Sequence, residues 1–409
     1  MKSMKNLISD KIRGQSIDTA EPPSISPAAT DYEPHPLTDA GFEASANALS
    51  TLTIDAQDHS IPPKSHIHAS STDTASHAWL SKFLPASTLA SVENKFHLGN
   101  YVLDRKTGEK TFEAMSIYVR VGMHLLYYGS EQEKMLHWQR TLALLKTQSE
   151  KMGREYDSPE SKAHIIPFIQ SFELADSLDD MVQPDPAAYP NFNAFFAREI
   201  KESARPIAEP ENDLVTSSVA DCRLTAFPTI DLATKYWIKG FGFTLDRLLG
   251  DAQLASQFDG GSLVIARLAP QDYHRWHAPV SGTVKSIVDI PGAYYTVNPQ
   301  AINEPGTLDV FCENKRSVMI VERSSTGSPI AIVAVGAMLV GSIKYVEGVN
   351  VGAQVRRGQC LGAFYYGGST VITLYPPGEV VLDEDLVKNS TGLNMETYMQ
   401  VGWSTGIKP

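Results

Sequence analysis

The sequence predicts an α+β fold, an N-terminal helical layer packed on a β-rich domain. Three observations carry this. Apolar residues recur at helical spacing between Glu113 and Ser149. From about residue 210 short β-branched runs are separated by Gly, Pro, Asn and Asp. Residues 14–78 sustain no apolar period of either kind.

Residues 1–78 are expected to form a disordered tail, because a stretch rich in Ser, Thr, Ala, Pro and Asp buries too little apolar surface to offset its ordering entropy. Its Lys2, Lys5, Lys11 and Arg13 could form a short basic face, a weak membrane anchor at most. Order is expected to begin near Trp79 and Leu80, and residues 79–208 form the helical, membrane- or substrate-facing region. Ile117, Val121, Leu125 and Tyr128, then Met135, Leu136, Leu142 and Leu145, predict two helices split by Gly129 and Ser130. A third helix is expected from Ser158 and Pro159 toward Phe172, and a fourth over Asn191–Arg198, ending before Arg205 and Pro206.

Residues 209–409 are the β-rich domain, with strands expected at 263–265, 284–287, 317–321, 330–335 and 371–374. Two pieces look alike: Ala278–Val284 enters a strand through a glycine turn, and Val355–Phe364 alternates and turns in a similar way. Both resemble the flanking strands of the flattened barrels that carry lipoyl or biotinyl groups. Those carriers display a lysine on a hairpin tip, which has no counterpart here. A barrel is therefore expected without a carrier function.

With 409 residues and 42% hydrophobic content, the chain can bury a sizeable core. A formal net charge of -12 argues against a nucleic-acid partner, since phosphate neutralisation needs clustered Lys and Arg. The 3 cysteines, Cys222, Cys312 and Cys360, are widely spaced and read as reduced thiols of an intracellular protein, cytoplasmic or peripheral to a membrane. No apolar run is long enough to cross a bilayer. No Cys, His and carboxylate grouping suggests a metal.

The densest chemical signal is Gly367-Gly368-Ser369-Thr370, which by itself also fits an ordinary turn. Glycine leaves its carbonyl unshielded, so the Ser369 hydroxyl can attack the Gly368–Ser369 bond; the resulting ester can eliminate and turn the serine into a ketone. Such a ketone is an electron sink of the kind that amino-acid decarboxylation needs. Ser369 requires a base, and the only histidines after His164 are His274 and His277. The carboxylate that would orient such a histidine is Asp272, Asp309 or Asp221, and spacing does not choose among them.

Further motifs accompany this one in order: Phe195-Phe196-Ala197-Arg198, Ala204-Arg205-Pro206-Ile207, Ala220-Asp221, Trp237-Ile238-Lys239-Gly240, and Asp272-Tyr273-His274-Arg275 with His277. Then come Tyr295-Thr296-Val297-Asn298-Pro299, Glu313-Asn314-Lys315-Arg316 and Val340-Gly341-Ser342-Ile343. Over about residues 114 to 405 the chain thus resembles the pyruvoyl-dependent phosphatidylserine decarboxylases, of the fungal, soluble type without a transmembrane segment. The resemblance implies self-cleavage at Gly368–Ser369 by Asp221, His277 and Ser369. One precursor would then supply a β chain ending at Gly368 and an α chain beginning with a pyruvoyl group made from Ser369. It assigns His274 to the decarboxylation. It implies a phospholipid substrate, phosphatidylserine converted to phosphatidylethanolamine at a membrane surface, and leaves room for a homodimer.

Two positions depart from the pattern. Cys222 stands where a small Ser or Gly is expected after the aspartate. Trp276 replaces a smaller residue and raises the alternative of a free aromatic amino acid, such as tryptophan, as substrate. A non-catalytic scaffold of the same fold is the second alternative. Phe241, Phe243 and Tyr295 are candidate pocket walls.

Overall fold

A computed structural model describes residues 99–114, 153–172, 174–238, 242–269, 271–294, 309–337, 342–365 and 369–409. The tail over 1–78, the start of order near Trp79, the helices expected between Ile117 and Leu145, and Lys239, Phe241, Tyr295 and Gly367–Gly368 all lie outside the described residues.

The strands in chain order are β1 (Gly99–Asp104), β2 (Lys110–Ala114), β3 (Val215–Ser217), β4 (Cys222–Phe227), β5 (Ser262–Leu268), β6 (Arg275–His277), β7 (Gly282–Ile290) and β8 (Arg316–Arg323). They continue as β9 (Pro329–Gly336), β10 (Ser342–Tyr345), β11 (Gln354–Val355), β12 (Cys360–Tyr365), β13 (Ser369–Tyr375), β14 (Val381–Leu382), β15 (Glu396–Met399) and β16 (Ser404–Ile407). Each of the five strands expected from sequence falls inside one of these.

The main sheet runs β11-β7-β8-β9-β13-β5-β4-β15-β1-β2, antiparallel except where β1 lies parallel to β15. Two smaller sheets, β10-β12-β6 and β14-β16-β3, accompany it. The mixed helix-and-sheet class is as expected, but the flattened barrel is corrected to open sheets. The two look-alike pieces do meet: Val355 of β11 pairs with Gly282 of β7, and Ala278 and Gly358–Gln359 exchange backbone hydrogen bonds of 2.8 Å. Their neighbours, however, belong to different sheets. β7 continues into the ten-stranded sheet while β12 pairs with β6 and β10, so the strands do not close on one another among the described residues.

β13 sits in the middle of the main sheet and is buried along its whole length, which is why it reads as a continuous run rather than an alternation. Val371 and Tyr375 enter one apolar cluster with Leu268, Trp276, Leu361 and Phe364; Ile372 and Leu374 enter a second on the opposite face. Period two puts Ser369 on the Val371 face. That is the face against which β6 and β12 pack.

Two of the expected helices fall within the described residues and are present in shorter form. Pro159–His164 forms a 3-10 turn that continues as an α-helix over Ile165–Ser171. Asn191 caps Phe192–Phe196 by accepting from Ala194 N at 2.8 Å. Phe168, Phe172, Phe192, Phe195 and Phe196 pack these short helices into an aromatic cluster of their own. The hairpin β1–β2 differs from expectation, since it lies in a stretch read as helical. Asp104 accepts from Lys106 N and Thr107 N at 2.8 and 2.9 Å, and Gly108 takes φ 73, a turn that pairs Tyr101 with Phe112. Among the described residues no helix is long and apolar enough to cross a membrane.

Candidate functional site

Ser369 opens β13 between Leu268 of β5 and Gly336 of β9. It is fully buried, and its Oγ has no hydrogen-bond partner among the described residues. The hydroxyls of Thr225, Thr370 and Thr373 share that state, so it marks the dry centre of the sheet and not Ser369 alone. The bond to Gly368 lies outside the described residues.

Leu268 leads from β5 into the loop that carries the histidines. Asp272 folds this loop back by accepting from Ala269 N at 2.7 Å, and Arg223 of β4 donates to both of its oxygens. Both side chains are buried, and burial pushes the Asp272 carboxyl up to about 6 in spite of the guanidinium. His274 follows. Its Nδ1 donates to the Asp272 carbonyl at 2.9 Å, its ring lies 3.9 Å from that of Phe196, and its carbonyl accepts from Phe364 N at 2.9 Å.

His277 ends β6 opposite Cys360. Its Nδ1 donates to the Gly358 carbonyl at 2.8 Å, which fixes the tautomer and leaves Nε2 to accept from the Tyr273 hydroxyl at 3.2 Å. Burial lowers its pKa; the Gly358 carbonyl and the field of Asp221 oppose that only in part. His277 is therefore neutral, with a lone pair on Nε2. Tyr273 is buried too, and burial holds its phenol well above the ordinary value, so it serves as a donor and not as an anion.

The carboxylate expected to orient His277 is otherwise engaged. Arg205 donates to Asp221 from Nε at 3.1 and 3.0 Å and from Nη2 at 2.7 Å, and Val401 N donates at 2.8 Å. Asp221 and His277 share no hydrogen bond among the described residues, although His277 N donates to Val219 O at 2.7 Å and brings the two segments together. Asp309 belongs elsewhere. It caps the helix Val310–Glu313, accepting from Phe311 N and Cys312 N at 3.1 Å each.

Asp221, His274 and His277 thus gather with Asp272 in one buried polar cluster at the end of the main sheet that holds Ser369. Sequence reasoning missed the roles of Arg205, Arg223 and Tyr273, although the first and last stand inside quoted motifs. It could not have found Gly358, which acts through its carbonyl. Cys222 is buried beside Ser218, Sγ 3.8 Å from the hydroxyl, and burial drives its thiol pKa far up. Trp276 points into the core against Phe364, ring centroids 4.7 Å apart, and a Cβ on Gly362 would collide with its indole. Phe243 packs at the edge of the second apolar cluster.

An α+β chain with a buried serine opening a central strand, and with two buried histidines and two arginine-paired aspartates at the same end of the sheet, is the class that fold and site define. The phosphatidylserine decarboxylase family model matches residues 192–402. The chain is 44% identical over 307 residues to phosphatidylserine decarboxylase proenzyme 3 of Schizosaccharomyces pombe, covering 75% of this chain and 31% of that protein. It is 39% identical over 338 residues to proenzyme 2 of Oryza sativa subsp. japonica, covering 81% of this chain and 53% of the relative. With the phosphatidylserine decarboxylase proenzyme of Fusobacterium nucleatum the identity is 36% over 305 residues, 74% of this chain and 96% of the bacterial protein. The chain belongs to the phosphatidylserine decarboxylase family. It spans only about a third to a half of the fission-yeast and rice proteins and nearly the whole of the bacterial one.

Proposed function

We propose that this chain is a precursor that breaks its own Gly368–Ser369 bond, converts Ser369 into a pyruvoyl group, and decarboxylates phosphatidylserine to phosphatidylethanolamine. The observation that carries the proposal is the placement of Ser369, fully buried at the start of β13 on the face that packs against β6, the strand that carries His277. Family membership and the proenzyme names of the relatives support the same reading.

In self-cleavage the Ser369 Oγ attacks the Gly368 carbonyl and the amide nitrogen leaves, giving an ester. Elimination releases the Gly368 carboxylate; one water is consumed and one ammonia released as the ketone forms. Neutral His277 takes the serine proton on Nε2, which requires that atom to exchange Tyr273 for Ser369. Asp221, ion-paired with Arg205, stabilises the imidazolium through its field rather than by a hydrogen bond. The pyruvoyl ketone supplies an electron sink for the pair left by carbon dioxide. His274, held by the Asp272 carbonyl and covered by Phe196, is placed to manage a proton at its Nε2 in a site from which water is largely excluded.

Residues 209–409 serve as the catalytic domain, 79–208 as the membrane- or substrate-facing region with 114–128 as its contact, and 1–78 as a tail; a homodimer is compatible with this division. Trp276 was the argument for a free aromatic amino acid, and its burial in the core removes that support. The test is the intact mass of the denatured protein beside Ser369→Ala. We expect two fragments divided at Gly368, the smaller lacking a free amine, and a single chain in the variant. The divided protein should then sediment with phosphatidylserine vesicles at low salt and produce phosphatidylethanolamine. An undivided wild-type chain would sink the proposal and favour a scaffold.

A further inference from the structure

Among the described residues, most buried arginines hold a carboxylate or several short carbonyl bonds; Arg198 has neither. Arg205, Arg223, Arg267 and Arg323 each hold a carboxylate. Arg316 and Arg357 distribute short hydrogen bonds over several carbonyls. Arg198 is 3% exposed and has no carboxylate partner. Its guanidinium reaches only Phe195 O at 3.5 Å and Gln271 O at 3.4 Å, at the outer limit of hydrogen bonding, and leans over the Phe195 ring at 5.0 Å. Desolvation pulls its pKa below the usual arginine value, with Tyr189, Tyr273, Asp221 and Asp272 supplying the opposing fields. A planar fork of donors kept dry on two long carbonyl bonds and a ring face, with no carboxylate, is costly.

Its position is informative. Arg198 lies just beyond the helix Phe192–Phe196 and touches the loop at Gln271, one residue before Asp272 and three before His274. Phe196, two residues before it, covers His274. Asp221 and Asp272 are each already matched by an arginine of their own, so among the described residues Arg198 is a cation near the histidine loop without a carboxylate.

We propose that Arg198 is the receptor for the phosphodiester of the substrate head group. The proposal rests on the decarboxylase reading and names how that site holds its substrate. The substrate carries a carboxylate and a phosphodiester, and chemistry separates them. An arginine on the carboxylate would stabilise a charge that disappears as carbon dioxide leaves, and would oppose the reaction. The phosphodiester keeps its charge throughout, so a bidentate guanidinium can hold it equally in ground and transition states, lowering KM and leaving kcat alone.

The test uses the processed full-length protein and two readouts. Calorimetry compares glycerophosphoserine with its neutral phosphate methyl ester, and inorganic phosphate with both. We expect the charged diester to bind about tenfold tighter or more than the neutral ester, the size of a charge-assisted bond. Kinetics on short-chain phosphatidylserine compares wild type with Arg198→Gln and Arg198→Lys. The expectation is a KM raised by about tenfold or more in Arg198→Gln with kcat within about twofold, and an intermediate KM in Arg198→Lys. Equal binding of diester and neutral ester, or a wild-type KM in Arg198→Gln, would overturn the proposal. Inorganic phosphate binding as tightly as the diester would overturn the head-group assignment in favour of a free-phosphate site. Diester binding that Arg198→Gln abolishes, in a wild type that releases no phosphatidylethanolamine, would leave Arg198 in place and remove the decarboxylase reading instead. If Arg198→Gln does not fold, the wild-type pair of ligands and Arg198→Lys decide.

Discussion

The middle of β13 and its first residue obey different rules. Ile372 and Leu374 face an apolar cluster on one side of the sheet, and Val371 faces another; every one is fully buried and none carries a polar atom on its side chain. Ser369, three positions before Ile372, carries a buried hydroxyl without a partner among the described residues, as Thr370 and Thr373 do, and what sets the strand's start apart is its surroundings. Around it the ends of β4, β5 and β6 gather buried arginines, aspartates and histidines. The middle is stabilised by area, at roughly 25 cal/mol per Å² of apolar surface removed from water. The end is held by pairing, where each charge is tolerable only while its partner stays. A sheet that is rigid by area can therefore hold a strand end built from charges.

The sharpest way to break this contrast is to remove one partner at the polar end. Asp272→Asn leaves Arg223 buried without its counter-charge and should cost about 3–5 kcal/mol, read as a lower urea midpoint. Replacing both, with Arg223→Met and Asp272→Leu together, should lose clearly less than the sum of the single changes. Additive losses would mean that the pair is screened and that the polar end is wetter than its burial implies.

The middle should respond by a different law. Ile372→Ala removes buried methyl groups between β5 and β9 and should cost about 2–5 kcal/mol, with no partner substitution that restores it. Because Ile372 points away from the Ser369 face, self-cleavage at permissive temperature should continue in this variant. If cleavage fails while the protein remains folded, the strand middle and its reactive end are coupled more tightly than the two clusters suggest.

The same contrast explains what could be read from the sequence. The central strands were legible because residues buried on both faces form unbroken β-branched runs, as in Val371–Leu374 and Ile330–Val335. The residues of the site were legible as motifs, since Ser369, His274 and His277 are chemically conspicuous. Their partners were not. Arg205 reaches Asp221 across 16 positions that carry no periodic signal, and the acceptor for His277 Nδ1 is a backbone carbonyl, which every residue has. The hairpin of β1 and β2 escaped for another reason. Its marker is a short turn around Thr107 and Gly108, and its place in the sheet depends on a parallel pairing with β15, almost 300 residues away by the register Val102 with Glu396. Open sheets replaced the expected barrel because strand partners, unlike strands, are chosen over long range.

The smallest effect tests whether the polar end is as dry as drawn. His277 has a folded pKa below its ordinary 6.5 because burial disfavours the imidazolium. The unfolded chain therefore binds this proton first as pH falls. Its contribution to stability is constant above about 6.5 and is lost progressively as pH drops from there toward the folded value. Asp272 works in the opposite sense. Its folded pKa is raised to about 6, so it penalises the folded state at neutral pH and the penalty is relieved as pH falls below that value. Between pH 7.5 and 6 Asp272 already takes up part of its proton and offsets part of the loss, so the histidine's share is the difference between wild type and His277→Asn over that interval. Wild type should lose stability across it, by less than about 1.4 kcal/mol per pH unit, the ceiling for one proton. His277→Asn should have a flatter profile over the same interval, measured by urea midpoints at fixed salt. Parallel profiles would mean that His277 titrates alike in the folded and unfolded chain. The imidazole would then be solvated, and a neutral His277 poised beside Ser369 would lose its physical basis.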